Sequence, residues 1–176
     1  MKKNLFVWQI VGLTFTAVLG TLLHFLYGWT GLKALAPISA VNESTWEHMK
    51  LVFIPSLIFA IIQSCFAKKD YHSFWIVKLI GIVVGTTLIA VLFYTLSGCF
   101  GKLSAIINIA IFFVSVIIEY LIEFYIFDRV KKNTILTWVA IVLLIAILVL
   151  FVVFTFYPPQ IPLFLDPVTN GYGITK

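Results

Sequence analysis

Residues 135–157 read ILTWVAIVLLIAILVLFVVFTFY and hold no charged side chain. As a helix rising 1.5 Å per residue, such a run crosses a hydrocarbon core of about 30 Å. Within lipid, only helices and closed barrels satisfy all their backbone polar groups. The run is continuously apolar rather than alternating, so it predicts a transmembrane helix. The same pattern recurs towards the N-terminus at about 103–127, 74–97, 44–66 and 5–28.

Composition points the same way. Of 176 residues, 62% are hydrophobic and 11% charged, and mean hydropathy is +1.11. Soluble domains carry about 45–50% apolar and about 25% charged residues. A chain of this length cannot hide so much apolar surface in one globular core, so the lipid bilayer is the expected partner. The expectation is an all-α integral membrane bundle of five transmembrane helices, forming a single domain over residues 1–176. The first run outlasts the about 7–15 apolar residues of a secretory signal and ends in bulky His24, Phe25, Leu26 and Tyr27. It is therefore expected to be a retained helix.

The connectors set an orientation. Lys2 and Lys3, then Lys68 and Lys69, then Arg129, Lys131 and Lys132 fall on one side. Lys33, Lys102 and Lys176 fall on the other, with Lys50 near it. The positive-inside bias places the N-terminus in the cytoplasm and the C-terminus outside a plasma membrane. The net charge of +5 is thus spread over connectors. It forms no basic stripe with aromatics, which excludes nucleic-acid binding. Cys65 and Cys99 fall near opposite faces, too far apart to bridge.

Residues 158–176 change character. Pro158, Pro159, Pro162 and Pro167 forbid a regular helix, and Gly171 and Gly173 suggest turns. Ile161, Leu163, Phe164, Leu165 and Tyr172 are too apolar for a free tail. An irregular extracytoplasmic tail lying on the outer face of the bundle is expected.

Polar groups within such a chain need a reason, because charge in a bilayer is costly and usually faces the bundle interior, is paired or marks function. The stretch Asn42-Glu43-Ser44-Thr45-Trp46-Glu47-His48-Met49-Lys50 opens the second run. Ser44 followed by Glu47 is a capping box, and acidic groups suit a helix N-terminus. Asn42-Glu43-Ser44 also matches a glycosylation acceptor, but it lies too close to the membrane for that use. The same stretch is dense in ligating groups. Glu43, Glu47 and His48, together with His24 at the end of the first run and Asp166 in the tail, form a candidate polar or metal site. Imidazole with carboxylates suits a divalent metal such as zinc, which can activate water. No His-Glu-x-x-His signature is present.

A second group is Glu119 and Glu123, four apart in the fourth run, with Lys78 one turn into the third. Lys78 and Glu123 fall at one depth and form a candidate buried ion pair; Glu119 is deeper and has no evident partner. Gly81 and Gly85 give the third run a small-residue face that lets helices approach closely. No phosphate-binding glycine loop, nucleophile elbow or pair of broken repeated helices occurs.

The segment Pro37 to Lys50, with Asn42-Glu43-Ser44 and Trp46-Glu47-His48, together with Pro158-Pro159, Asp166-Pro167 and Tyr172-Gly173-Ile174, carries a resemblance over the whole chain. It resembles an uncharacterised family of small multi-pass membrane proteins of Gram-positive bacteria. The resemblance implies a bacterial plasma-membrane protein and assigns no activity and no catalytic residues. Three functions fit these residues. One is a membrane-embedded metal enzyme acting on a lipid or envelope small molecule. Another is a transporter or ion-binding protein using Glu119 and Glu123. The third is a structural or partner-binding membrane subunit.

Overall fold

The computed structural model describes residues 2–67 and 73–174. Their backbone is all helical apart from loops and one isolated bridge. The helices are α1 (Lys2–Thr30), α2 (Thr45–Ala67), α3 (Phe74–Phe100), α4 (Ala105–Ile126) and α5 (Thr134–Phe156). Short 3-10 helices cover Lys33–Leu35 and Pro162–Phe164. All five α-helices are long and apolar enough to cross a membrane. The orientation signal in Lys2, Lys3, Lys68, Lys69 and Lys176 lies on side chains outside the described ones.

Helices α1, α2, α3 and α4 form a closed ring, each packing on the next and α4 returning to α1. Helix α5 packs outside that ring against α3 and α2. In α2, 61% of the most apolar window is buried, against 22% in α5, so α2 is the central helix. The core gathers Phe53, Phe59, Ile82, Val116 and Leu144 between the helices.

Helix ends follow local chemistry. Ser104 accepts from the Ile107 N–H and Asn133 from the Leu136 N–H, which starts α4 and α5. Helix α3 runs past the expected end near 97 to Phe100, and Gly101 stops it at φ 76°, a backbone that favours glycine. Helix α2 begins on half of the expected capping box. The Glu47 N–H donates to Ser44 Oγ at 3.4 Å. The reciprocal bond is absent because the Ser44 N–H donates instead to Asn42 Oδ1 at 2.9 Å, which frees the Glu47 carboxylate.

Pro55 sits inside α2 and offers no N–H to Leu51, four residues back. Gly20 of α1 lies against that region. A Cβ at Gly20 would stand 2.6 Å from the Leu51 carbonyl oxygen and 2.7 Å from the Phe112 ring. Gly20→Val is therefore expected to cost about 1–3 kcal/mol, by overpacking. A thermal melt of the purified variant checks this, and a wild-type midpoint would refute the close approach.

Residues 157–174 fold back on α2 and α5. Phe164 is buried, with its ring 4.8 Å from Trp46 and 5.4 Å from Phe154. Leu165 and Tyr172 form an antiparallel bridge, and Asn42 Nδ2 donates to the Gly173 carbonyl at 2.7 Å. Cys65 and Cys99 are free thiols.

Candidate functional site

One end of the bundle carries a cluster of imidazoles and a carboxylate. His24 lies near the end of α1, Glu43 in the loop before α2, and His48 in the first turn of α2. The loop is held to α1 by the Ala40 N–H, which donates to the Leu23 carbonyl at 3.2 Å. Glu43 is thereby set between two rings. His24 Nε2 lies 3.8 Å from one Glu43 oxygen and His48 Nε2 lies 3.5 Å from the other. The ring centroids are 5.4 Å apart. One ligand atom from each residue falls within 4.8 Å of the others.

The proton positions follow from the partners. His48 Nδ1 is 2.9 Å from the Ser44 carbonyl, which only accepts, so Nδ1 carries the hydrogen. In the neutral ring, Nε2 then presents a lone pair towards Glu43. A hydrogen bond from one ring nitrogen to a backbone carbonyl is the usual brace behind a metal-ligating histidine. Zinc–nitrogen and zinc–oxygen bonds of about 2.0–2.2 Å in a tetrahedron place neighbouring ligand atoms about 3.4 Å apart. The side chains would have to draw together around an ion, because one atom from each residue lies only within 4.8 Å of the others and the 3.5 Å and 3.8 Å separations run to different Glu43 oxygens. Both separations exceed what a good hydrogen bond would give.

Two hollows flank the cluster, and Glu43 lines both. The larger, about 910 Å³, is bounded by Glu43 and His48, by Phe93 of α3 and Phe112 of α4, and by Lys102 and Val168. The smaller, about 230 Å³, lies on the side of His24, Phe25 and Trp29. The side chains of Glu43, His24 and His48 are 48%, 25% and 24% exposed, so an ion could reach them from outside.

The other two residues of the expected set point elsewhere. Glu47 is buried and stands 2.6 Å from Lys50 Nζ. It also accepts from the Val41 N–H at 3.1 Å. Lys50 donates to the Ala36 carbonyl at 2.9 Å and to Thr155 Oγ1 at 2.8 Å. This network ties the loop, α2 and α5 together. Lys50, read as a connector charge beside the outer side, is fully buried. Its one signal was the three-residue spacing from Glu47, which lets the two meet on one helix face. Asp166 closes its own loop, accepting from the Val168 N–H at 2.9 Å and Thr169 Oγ1 at 2.7 Å. The tail reaches the large hollow through Pro167 and Val168 instead.

A second polar group lies deeper in the ring. Lys78 Nζ is 2.6 Å from Glu123 Oε2, and both side chains are buried. The ammonium also faces the rings of Tyr120 at 5.3 Å and Phe59 at 5.5 Å. Gly81 and Gly85 of α3 lie against carboxylate side chains of α4. A Cβ at Gly81 would meet the Glu123 carboxylate, and one at Gly85 would meet that of Glu119.

No curated protein and no solved structure matches the chain. The chain belongs to the family of unknown function DUF6512, which matches residues 1–174.

Proposed function

We propose that this protein is a five-span bacterial plasma-membrane protein that binds a divalent metal ion, zinc above all, on its outer face. His24, Glu43 and His48 are the ligands. The observation that carries the reading is their convergence within 4.8 Å, with the His48 ring braced so that Nε2 faces the carboxylate. Three protein ligands leave a fourth position open, the pattern of catalytic rather than structural zinc. A zinc ion held by these three residues would supply activation of water at neutral pH. The large hollow beside it has apolar walls from Ile89, Phe93 and Phe112 and one cation, Lys102. That lining suits an amphiphilic lipid or envelope substrate, whose hydrolysis is the reaction proposed.

The membrane part of the reading is supported by an inverted distribution of side chains. Ile135, Val142 and Val149, seven apart on α5, are all exposed. Gln9, Gln63, Ser115, Glu119 and Glu123 are all buried. A water-soluble bundle would reverse this, and apolar surface on that scale marks contact with lipid or protein. Reporter fusions after Lys132 and Lys176 are expected to read cytoplasm and exterior respectively. A cytoplasmic signal at Lys176 would overturn the orientation.

Elemental analysis of protein purified in detergent without chelators tests the metal. The expected result is zinc in a near-equimolar ratio to chain, removed by EDTA and restored by added zinc. Metal-free protein that takes up no divalent ion would refute the reading.

A further inference from the structure

A polar seam runs through the middle of the helix ring, away from the proposed metal site. Thr16 and Gln9 lie seven apart on α1, and Ser56 and Gln63 seven apart on α2. Glu119 and Glu123 lie four apart on α4. Each pair therefore shares one helix face. All six residues are buried. Thr16 Oγ1 bonds Tyr120 Oη at 2.8 Å and approaches Ser56 Oγ at 3.4 Å, which joins α1, α2 and α4 at the level of Glu119. Lys78 of α3 joins the seam one turn away at Glu123.

Among the described residues the seam is one cation short. It holds two carboxyl groups and one ammonium, and the ammonium belongs to Glu123. Glu119 is fully buried and makes no well-formed hydrogen bond, although the Ser56 hydroxyl of α2 lies in reach of it. An isolated carboxylate in such a place is far more costly than one neutralised by a proton or an ion. The surroundings supply oxygen and amide groups rather than a second base. Ser56 faces Glu119 from α2. The Ser115 hydroxyl, one turn earlier on α4, and the amide of Gln63 are buried and unpartnered, and the Gln9 amide lies beside Glu123. Gly85 leaves the room, since a Cβ there would stand 2.7 Å from Glu119 Oε2. The titratable groups facing Glu119 are Glu123 and Tyr120 on α4 and Lys78 on α3; α1 and α2 contribute uncharged polar groups.

We infer that Glu119 is the binding site for one exchangeable monovalent cation, a proton or an alkali ion such as sodium, inside the helix ring. Oxygen donors without sulfur or imidazole select a hard cation over a transition metal. This site is separate from the His24 cluster. Thr16, at the level of Glu119, and His24 are eight residues apart on α1, which is about 12 Å along the helix axis. The inference does not rest on the metal reading.

Dicyclohexylcarbodiimide tests it on the full-length protein. The O–H of a protonated carboxyl adds across the carbodiimide C=N bond, and the adduct rearranges to a stable acylurea. No other reactant is consumed. Peptide mapping by mass spectrometry locates the label. The expected result is label concentrated on Glu119, with little on Glu123. If the cation is a proton, labelling falls as pH rises and is indifferent to salt. If it is sodium, excess sodium chloride suppresses labelling and choline chloride does not. Glu119→Gln is expected to lose the label while remaining monodisperse. If that variant fails to fold, the wild-type map alone decides. Glu119 unlabelled at every pH and salt condition, or labelled no more than Glu123, overturns the proposal.

Discussion

Zinc affinity is expected to collapse in His24→Ala and in His48→Ala, and to survive in Glu47→Gln. Each histidine supplies one of three ligand atoms that meet within 4.8 Å. Losing a ligand should cost more than the about 10–100-fold that follows loss of a hydrogen-bond partner behind one. Glu43→Gln keeps an oxygen in place but loses the charge, so an intermediate loss is expected. Glu47 is the discriminating control. It lies one residue from His48 in sequence, yet its carboxylate is held by Lys50 at 2.6 Å. Glu47→Gln should therefore reduce stability and leave zinc affinity near that of wild type. Zinc titration against a competing chelator measures all four variants. Affinity should also fall on acidification, because a ligating imidazole must be neutral. Histidine variants that bind zinc as wild type does, or a Glu47→Gln variant as impaired as His48→Ala, would remove His24, Glu43 and His48 as the ligand set.

Lys78→Met is expected to destabilise the protein by about 3–5 kcal/mol, because it strands Glu123 without its counter-charge. The carboxylate has nowhere to turn. Its side chain is fully buried, and Gly81 of α3 packs against it. Removing both charges in Lys78→Met/Glu123→Leu should recover most of the loss, since an apolar pair of similar volume replaces a buried ion pair at little net cost. Thermal unfolding in one detergent, with a double-mutant cycle, reads the coupling. A single Lys78→Met variant as stable as wild type would show that the pair contributes nothing. A double variant no better than the single would place the loss in packing against Phe59 and Tyr120 rather than in charge.

Much of the fold was legible because helix formation in such a chain is local. An uninterrupted apolar run marks each helix, whereas the ends set by Ser104, Asn133 and Gly101 rest on bonds and backbone angles that run length does not reveal, which is why α3 continues past 97 to Phe100. Pro55 shows where this stops. In sequence it is one proline in an apolar run, and only the packing of α1 brings Gly20 against the Leu51 carbonyl one turn before it.

For the polar residues, the sequence by itself determined an inventory and an end of the molecule. His24, Glu43, Glu47, His48 and Asp166 were candidates because the end of the first run, the segment opening the second and the apolar tail were all expected on the outer side. The tertiary structure decided which of them meet. Helical spacing sets height along an axis and a face to within a fraction of a turn. It says nothing of partners offered by a distant segment. Lys50 and Thr155 claim Glu47, and the tail's own Val168 and Thr169 claim Asp166. His24, Glu43 and His48 are left to face one another. Buried polar groups bind whichever complementary group the fold brings within about 3 Å. For Glu47 helix packing adds Thr155, 108 residues away, to the nearby Lys50, while for Asp166 the fold of its own loop makes the choice.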